Sequence, residues 1–206
     1  MLIIIAIGDS LTVGYQLLDD EGWVEFVPYT VFVNERLREL GQREGLEFQI
    51  RNKGVLGELT NEMLARFDRD VLNLTPNFVI ILGGTNDIGG GVPPAEVFSN
   101  LIKMYNAALK NGIETIACSI PSILGCDSLI APRVALNEMI RTHCVQKGLA
   151  FADVFRATAD PETNRLIDKY SSDGIHLSML GYKKMADTIY EEALEGLLSR
   201  YLSKHK

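Results

Sequence analysis

Apolar runs and amphipathic stretches alternate from one end of this chain to the other. Two of the apolar runs, LIIIAI at residues 2–7 and FVIIL at 78–82, carry no polar alternation. That is the pattern of strands covered on both faces. Strands are predicted at Leu2–Ile7, Glu47–Asn52, Asn77–Leu82, Glu114–Ser119 and Ala150–Val154. Between them, helical spacing predicts helices at about Glu25–Leu40, Leu59–Leu72, Ala95–Asn111 and Arg133–Lys147. A last helix, about Ser178–Ser203, gathers Tyr182, Met185, Ile189, Leu194, Leu197 and Tyr201 near one face, which reads as a core face. Gly41, Gly112 and Gly148 stand where helix C-caps fall. This β-α alternation predicts an α/β fold, a parallel sheet between layers of helices. With no linker, repeat or low-complexity segment, residues 1–206 read as a single domain.

A parallel sheet also makes a statement about function. Its ligand crevice lies beyond the carboxyl ends of the strands, so the residues just after each strand are the ones that can meet. After the first strand comes Gly8-Asp9-Ser10; after the second, NKGVLGELT at 52–60; after the third, GGTND at 83–87. Beyond the last strand a longer loop leads to SSDGIHLSMLGY at 171–182. One end of the sheet therefore collects a serine, several glycines, an asparagine, an aspartate and a histidine.

That set suits acyl transfer. A serine hydroxyl needs a base to become a nucleophile, and imidazole titrates in the right range. The imidazole needs an orienting carboxylate, and the tetrahedral oxyanion needs preorganised donors such as glycine N–H groups and an asparagine amide. Of the three histidines, His143 lies in a helical pattern near its C-terminal end, as a surface or dipole-complementing residue, and His205 lies in the tail. His176 follows Asp173 by three residues, with Gly174 and Ile175 able to turn the carboxylate back to the ring. Each piece alone is ordinary turn chemistry; their meeting at one sheet end is what gives them weight.

Charge and cysteine content narrow the picture further. A net charge of −7 and a pI near 5.0, with scattered basic residues, exclude nucleic acid as the main partner. Only the tail, KHK at 204–206, is locally cationic. The opening apolar run is too short for a signal peptide and lacks a basic flank, and no stretch approaches the roughly 18 apolar residues of a membrane helix. Cys118, Cys126 and Cys144 cannot all pair within one chain and match no zinc spacing, so reduced thiols in a cytoplasmic protein are expected. No histidine pair has metal-ligand spacing, and GGTNDIGGG lacks the lysine of a phosphate-binding loop, so no metal or other cofactor is expected.

The motifs in order resemble those of the GDSL esterases and lipases, or SGNH hydrolases, along nearly the whole chain. The matching blocks are Gly8-Asp9-Ser10-Leu11, Asn52-Lys53-Gly54-Val55-Leu56-Gly57, Gly84-Thr85-Asn86-Asp87 and Asp173-Gly174-Ile175-His176. The resemblance is to the thioesterase and lysophospholipase-like members. It implies a flavodoxin-like three-layer α/β/α sandwich with a five-stranded parallel sheet of order 2-1-3-4-5. It implies Ser10 as nucleophile, His176 as base and then acid, Asp173 as its support, and the N–H groups of Ser10 and Gly57 with the Asn86 amide as oxyanion donors. The chain departs from the family pattern at Glu58-Leu59-Thr60 and at Leu177-Ser178. The strained Gly-x-Ser-x-Gly elbow of α/β-hydrolases is absent.

The expected substrate is a small-molecule acyl ester or thioester, with a carbohydrate O-acetylester as the rival on the same triad and a flavodoxin-like binding module as the non-catalytic alternative. Leu17, Leu18, Trp23 and Ile88 are candidate substrate-binding residues. Gly89-Gly90-Gly91 is either a mobile lip over the site or a turn. No stable membrane insertion is expected, and the chain is expected to be a monomer or a weak homodimer.

Overall fold

The structure is a computed structural model, and it describes residues 1–19 and 21–205. Of the cationic tail, Lys206 lies outside the described residues, as do the side chains of Lys204 and His205.

Five parallel strands form the central sheet: β1 (Leu2–Gly8), β4 (Phe48–Gly54), β5 (Phe78–Leu82), β6 (Glu114–Cys118) and β7 (Ala150–Ala152). Their spatial order is β4-β1-β5-β6-β7, the expected 2-1-3-4-5 when only sheet strands are counted. The two continuous apolar runs became the middle of the sheet. Ile4, Ile5 and Ile7 of β1 and every residue of β5 are fully buried, because helices cover both faces.

Helices α2 (Tyr29–Glu44), α9 (Met179–Ile189) and α10 (Glu195–His205) form one layer, with α2 packed on α9. Helices α3 (Thr60–Ala65), α6 (Pro94–Lys110) and α7 (Ile130–Lys147) form the other, with α6 packed on both neighbours. Right-handed crossovers require this split, since the chain steps from β1 one way to β4 and then back the other way. The register aligns Gly8 with Gly54 on one side and with Leu82 on the other, so the strand ends finish level. That alignment puts the loops after β1, β4 and β5 side by side.

Four expectations need correction. The first helix starts at Tyr29, not Glu25, because Val24–Phe26 (β3) pairs antiparallel with Tyr15–Leu17 (β2) as a small hairpin and Pro28 precedes the helix. It also runs past Gly41 and ends at Gly45, which takes the left-handed conformation at φ 68°. The predicted helix at Leu59–Leu72 is broken at Arg66 into α3, a short α4 (Phe67–Asp70) and a 3-10 turn at Leu72–Leu74. The last helix is interrupted by a π turn at Tyr190–Leu194, yet Tyr182, Met185, Ile189, Leu194 and Leu197 are all buried as the stripe requires. Strand ends otherwise move by one or two residues.

Cys118, Cys126 and Cys144 are free, the first and last of them buried. No helix among the described residues is long and apolar enough to cross a membrane.

Candidate active site

Ser10 is the first residue of α1 (Ser10–Val13), a single helical turn seated on the end of β1. Asp9 caps that turn, its Oδ1 accepting the Leu11 N–H at 2.9 Å. Gly8 must be glycine: a Cβ there would lie 2.2 Å from Thr12 Oγ1 and 2.3 Å from the Leu82 carbonyl oxygen. The tight joint aims Ser10 out of the sheet end while leaving it only 5% exposed.

The loop before α9 brings the base across. Asp173 Oδ1 accepts the N–H groups of Ile175 at 2.9 Å and His176 at 2.7 Å, and this local turn folds the carboxylate back on the ring. Asp173 Oδ2 then lies 2.6 Å from His176 Nδ1, and His176 Nε2 lies 3.0 Å from Ser10 Oγ. Burial works to raise the Asp173 pKa, but the His176 ring and the two backbone N–H groups outweigh it and hold the carboxyl below its usual range. The Tyr15 ring packs on the His176 ring with centroids 4.4 Å apart and the planes tilted by 52°.

The second and third loops meet each other through Asn86 and Asp87. Gly57 sits at φ 71°, a conformation that favours glycine. Asn86, in α5 (Thr85–Gly89), donates one amide N–H to the Glu58 carbonyl at 3.0 Å. Asp87 anchors the same loop by accepting the Thr60 N–H and its hydroxyl, the latter at 2.7 Å. The glycine triplet is a turn: Gly90, Gly91 and Val92 donate in succession to Asn86, Ile88 and Asp87 carbonyls.

Two buried charge systems under these loops were not legible as such. Arg66, whose side chain is 8% exposed, donates Nε and Nη2 to the Glu58 carboxylate at 2.5 Å each and Nη1 to Asp70 at 3.0 Å. Its Nη2 also reaches the carbonyls of Lys53 at 2.8 Å and Gly8 at 3.3 Å. One guanidinium thus ties the ends of β1 and β4 to the residue after Gly57, and Glu58 in turn holds Asn86. The helical break at Arg66 is what turns the side chain inward. Asp70 is pulled down to about 2, first by hydrogen bonds from Arg69, against its partial burial, and then by Arg66. The second system is Asp9 with Arg133. Burial pushes Asp9 up to about 7, with Asp87 and Glu58 adding to the rise and Arg133 opposing it. Burial pushes Arg133 down to about 10; it donates to the Pro121 carbonyl at 3.1 Å. Glu58 had stood out in the sequence only as a departure from the family pattern, and nothing local marked Arg66 or Arg133.

The candidate substrate residues divide. Leu17, Leu18 and Trp23 lie on the β2–β3 hairpin, with Leu18 and Trp23 well exposed. Ile88 does not line the site: α5 turns it into the hydrophobic core, where it is 1% exposed. His143 is half-buried near the C-terminal end of α7. It packs against the rings of Phe98 and Tyr105, and burial, then Lys147, lowers its pKa. Among the described residues, no group of three or more His, Cys, Asp and Glu side chains is placed to hold a metal.

A serine, a histidine and a carboxylate in line, beside a glycine turn and an asparagine at the carboxyl end of a 2-1-3-4-5 sheet, define the SGNH class of ester-bond hydrolases. Residues 6–184 match the GDSL-like Lipase/Acylhydrolase family, and the chain belongs to it. It is 31% identical over 117 residues to the arylesterase of Vibrio mimicus, a match covering 57% of this chain and only 54% of that one. To esterase TesA of Pseudomonas aeruginosa it is 26% identical over 198 residues, covering 91% and 85%. Among solved structures, a GDSL-like lipase from Bacteroides thetaiotaomicron superposes with a TM-score of 0.72 at 24% identity, covering 94% of this chain and 88% of that one. An acetylxylan esterase from Geobacillus stearothermophilus gives 0.75 at 19% identity, covering 93% of each. At these identities the structural likeness is one of fold.

Proposed function

We propose that this protein is a serine esterase that cleaves small-molecule acyl esters or thioesters with Ser10, His176 and Asp173. The observation that carries the reading is the line of two short contacts, Ser10 Oγ to His176 Nε2 at 3.0 Å and His176 Nδ1 to Asp173 at 2.6 Å. With Nδ1–H donated to Asp173, Nε2 is the nitrogen free to accept the Ser10 proton. Ser10 Oγ attacks the acyl carbonyl as His176 takes that proton. The Ser10 and Gly57 N–H groups and the second Asn86 amide N–H receive the negative oxygen. Collapse expels the alcohol or thiol, which leaves with the proton from His176, and Ser10 carries the acyl group. Water, deprotonated by His176, then releases the acid. Asp173, held as a carboxylate, supports the imidazolium in both halves.

The test is hydrolysis of p-nitrophenyl esters from acetyl to dodecanoyl by wild type, Ser10→Ala and His176→Ala. Turnover should fall in each variant by about 10⁴ or more, because members of such a unit fail together. Equal rates in wild type and Ser10→Ala would end the proposal. The fold and family support this reading, and the esterase names of the two sequence relatives agree with it.

A further inference from the structure

The hairpin that follows the Ser10 turn is built inside out. Strands β2 and β3 pair Tyr15 with Phe26, Gln16 with Glu25 and Leu17 with Val24. Side chains alternate faces along a strand, so Tyr15, Leu17, Val24 and Phe26 share one face and the polar pair takes the other. Gln16 is the buried one, 3% exposed and donating to Glu25 at 2.8 Å. Val24 and Phe26 are 40% and 52% exposed, and Leu18 and Trp23 at the tip are 57% and 67% exposed. A hairpin with one face in water ordinarily has the opposite arrangement.

This outward apolar face begins at the chemistry. Tyr15 packs against His176 with the rings tilted, and the Phe26 ring meets the Tyr15 ring edge-on with centroids 6.0 Å apart. The hairpin is also fastened to the loop that carries Asp173 and His176. Leu17 N–H donates to Ser172 Oγ at 3.3 Å, and the Tyr182 hydroxyl, from α9, donates to the Tyr15 carbonyl at 2.6 Å. Ile175, beside His176, adds another exposed apolar side chain at the near end.

We infer that this face is the track for the acyl chain. The chain of the scissile ester leaves Ser10 past Tyr15, lies along Phe26, and ends at Leu17 and Val24. At about 3.4 Å per residue, Tyr15 to Leu17 spans about 7 Å, which adds to the reach from Ser10 to Tyr15 and suits a medium-length acyl chain. Leu17, Val24 and Phe26 offer no hydrogen bond to a sugar hydroxyl, so the face selects an acyl tail rather than a carbohydrate. The inference rests on the esterase reading above and narrows its substrate to medium-chain acyl esters or thioesters.

The experiment compares kcat/KM for p-nitrophenyl octanoate and acetate in wild type, the double variant Val24→Ser/Phe26→Ser, and Val24→Ser alone, with Ser10→Ala as blank and thermal melts of each. Wild type should favour octanoate by about tenfold or more, and the double variant should lose about tenfold in that ratio, because methylenes laid on the face lose their apolar partner. Val24→Ser alone should lose less, and its exposed position keeps the test open should the double variant melt early. An acetate optimum in wild type, or the same ratio in all proteins, overturns the inference. So does a wild-type dimer on size exclusion that the double variant dissolves, since the face would then join two copies. Wild type no faster than Ser10→Ala on either ester would overturn the esterase reading itself, which is a separate result.

Discussion

Replacing Arg66 by methionine removes one guanidinium and leaves four acceptors behind: the Glu58 and Asp70 carboxylates and the carbonyls of Gly8 and Lys53. Asp70 keeps Arg69 at 2.7 Å and Lys53 at 3.7 Å, so most of the loss falls on Glu58, which is 6% exposed. Removing one partner of a buried pair costs about 3–5 kcal/mol, because the other charge stays buried without compensation. For a chain of this size each kcal/mol is about 2–4 °C, so the melting temperature should fall by roughly 10 °C. Removing both partners, in Arg66→Met/Glu58→Gln, should recover about 2 kcal/mol of that loss, since the stranded charge is gone. Activity should not recover with it. Gly57 and Asn86 would still lack their tie to the end of β1, and a donor displaced by about 1 Å costs up to 10²-fold in kcat with little change in KM. The assay is a double-variant cycle of thermal melts, with kcat and KM on a p-nitrophenyl ester at 25 °C where all variants are folded. Additive melting losses, or a kcat in Arg66→Met within twofold of wild type, would refute the idea that the clamp holds the oxyanion donors.

Two more outcomes are expected. Asn86→Ala should lower kcat by roughly 10²–10³ with a normal melt; near-normal turnover would remove its amide from the oxyanion set. Asp9 holds its proton up to about pH 7 when folded, against 3.8 when unfolded, so its contribution to stability is complete below about pH 4 and fades as pH rises to 7. Asp9→Asn should therefore gain on wild type in melting temperature steadily between pH 4 and 7 and level off above, and a pH-independent difference would contradict the buried acid.

What could be read from the sequence was whatever the sheet enforces. The runs at β1 and β5 are apolar on both faces because both faces are covered, and once the sheet is parallel its ends gather Ser10, Gly57, Asn86 and His176 without further information. The hairpin escaped notice because two strands of three residues are too short to show a period, and Val24-Glu25-Phe26 ran on smoothly into a helical pattern. Ile88 misled for a related reason: its place after Asn86 suggested the crevice, but a single helical turn carried it into the core. Arg66 sat in a good helical repeat, and no local pattern tied it to Glu58 or to the two carbonyls it reaches. Asp9 and Arg133 lie about 120 residues apart, and an electrostatic interaction over that separation leaves no local trace.

The position of β1 has a consequence for how the protein is made. β1 is made before either of its neighbours in the sheet, residues 48–54 and 78–82, yet it ends between them. At about 5–20 residues per second, the stretch LIIIAI waits roughly 4–15 s before both flanking strands exist. During that time it is an unpaired, uncharged, β-prone segment, the kind that adheres to its like. The Ser10–His176 contact arrives later still, because His176 follows every strand of the sheet in the chain. Newly made chains thus pass through a long interval in which they are sticky but inactive, and expression at lower temperature or with a holdase chaperone should raise the yield of soluble protein rather than its specific activity.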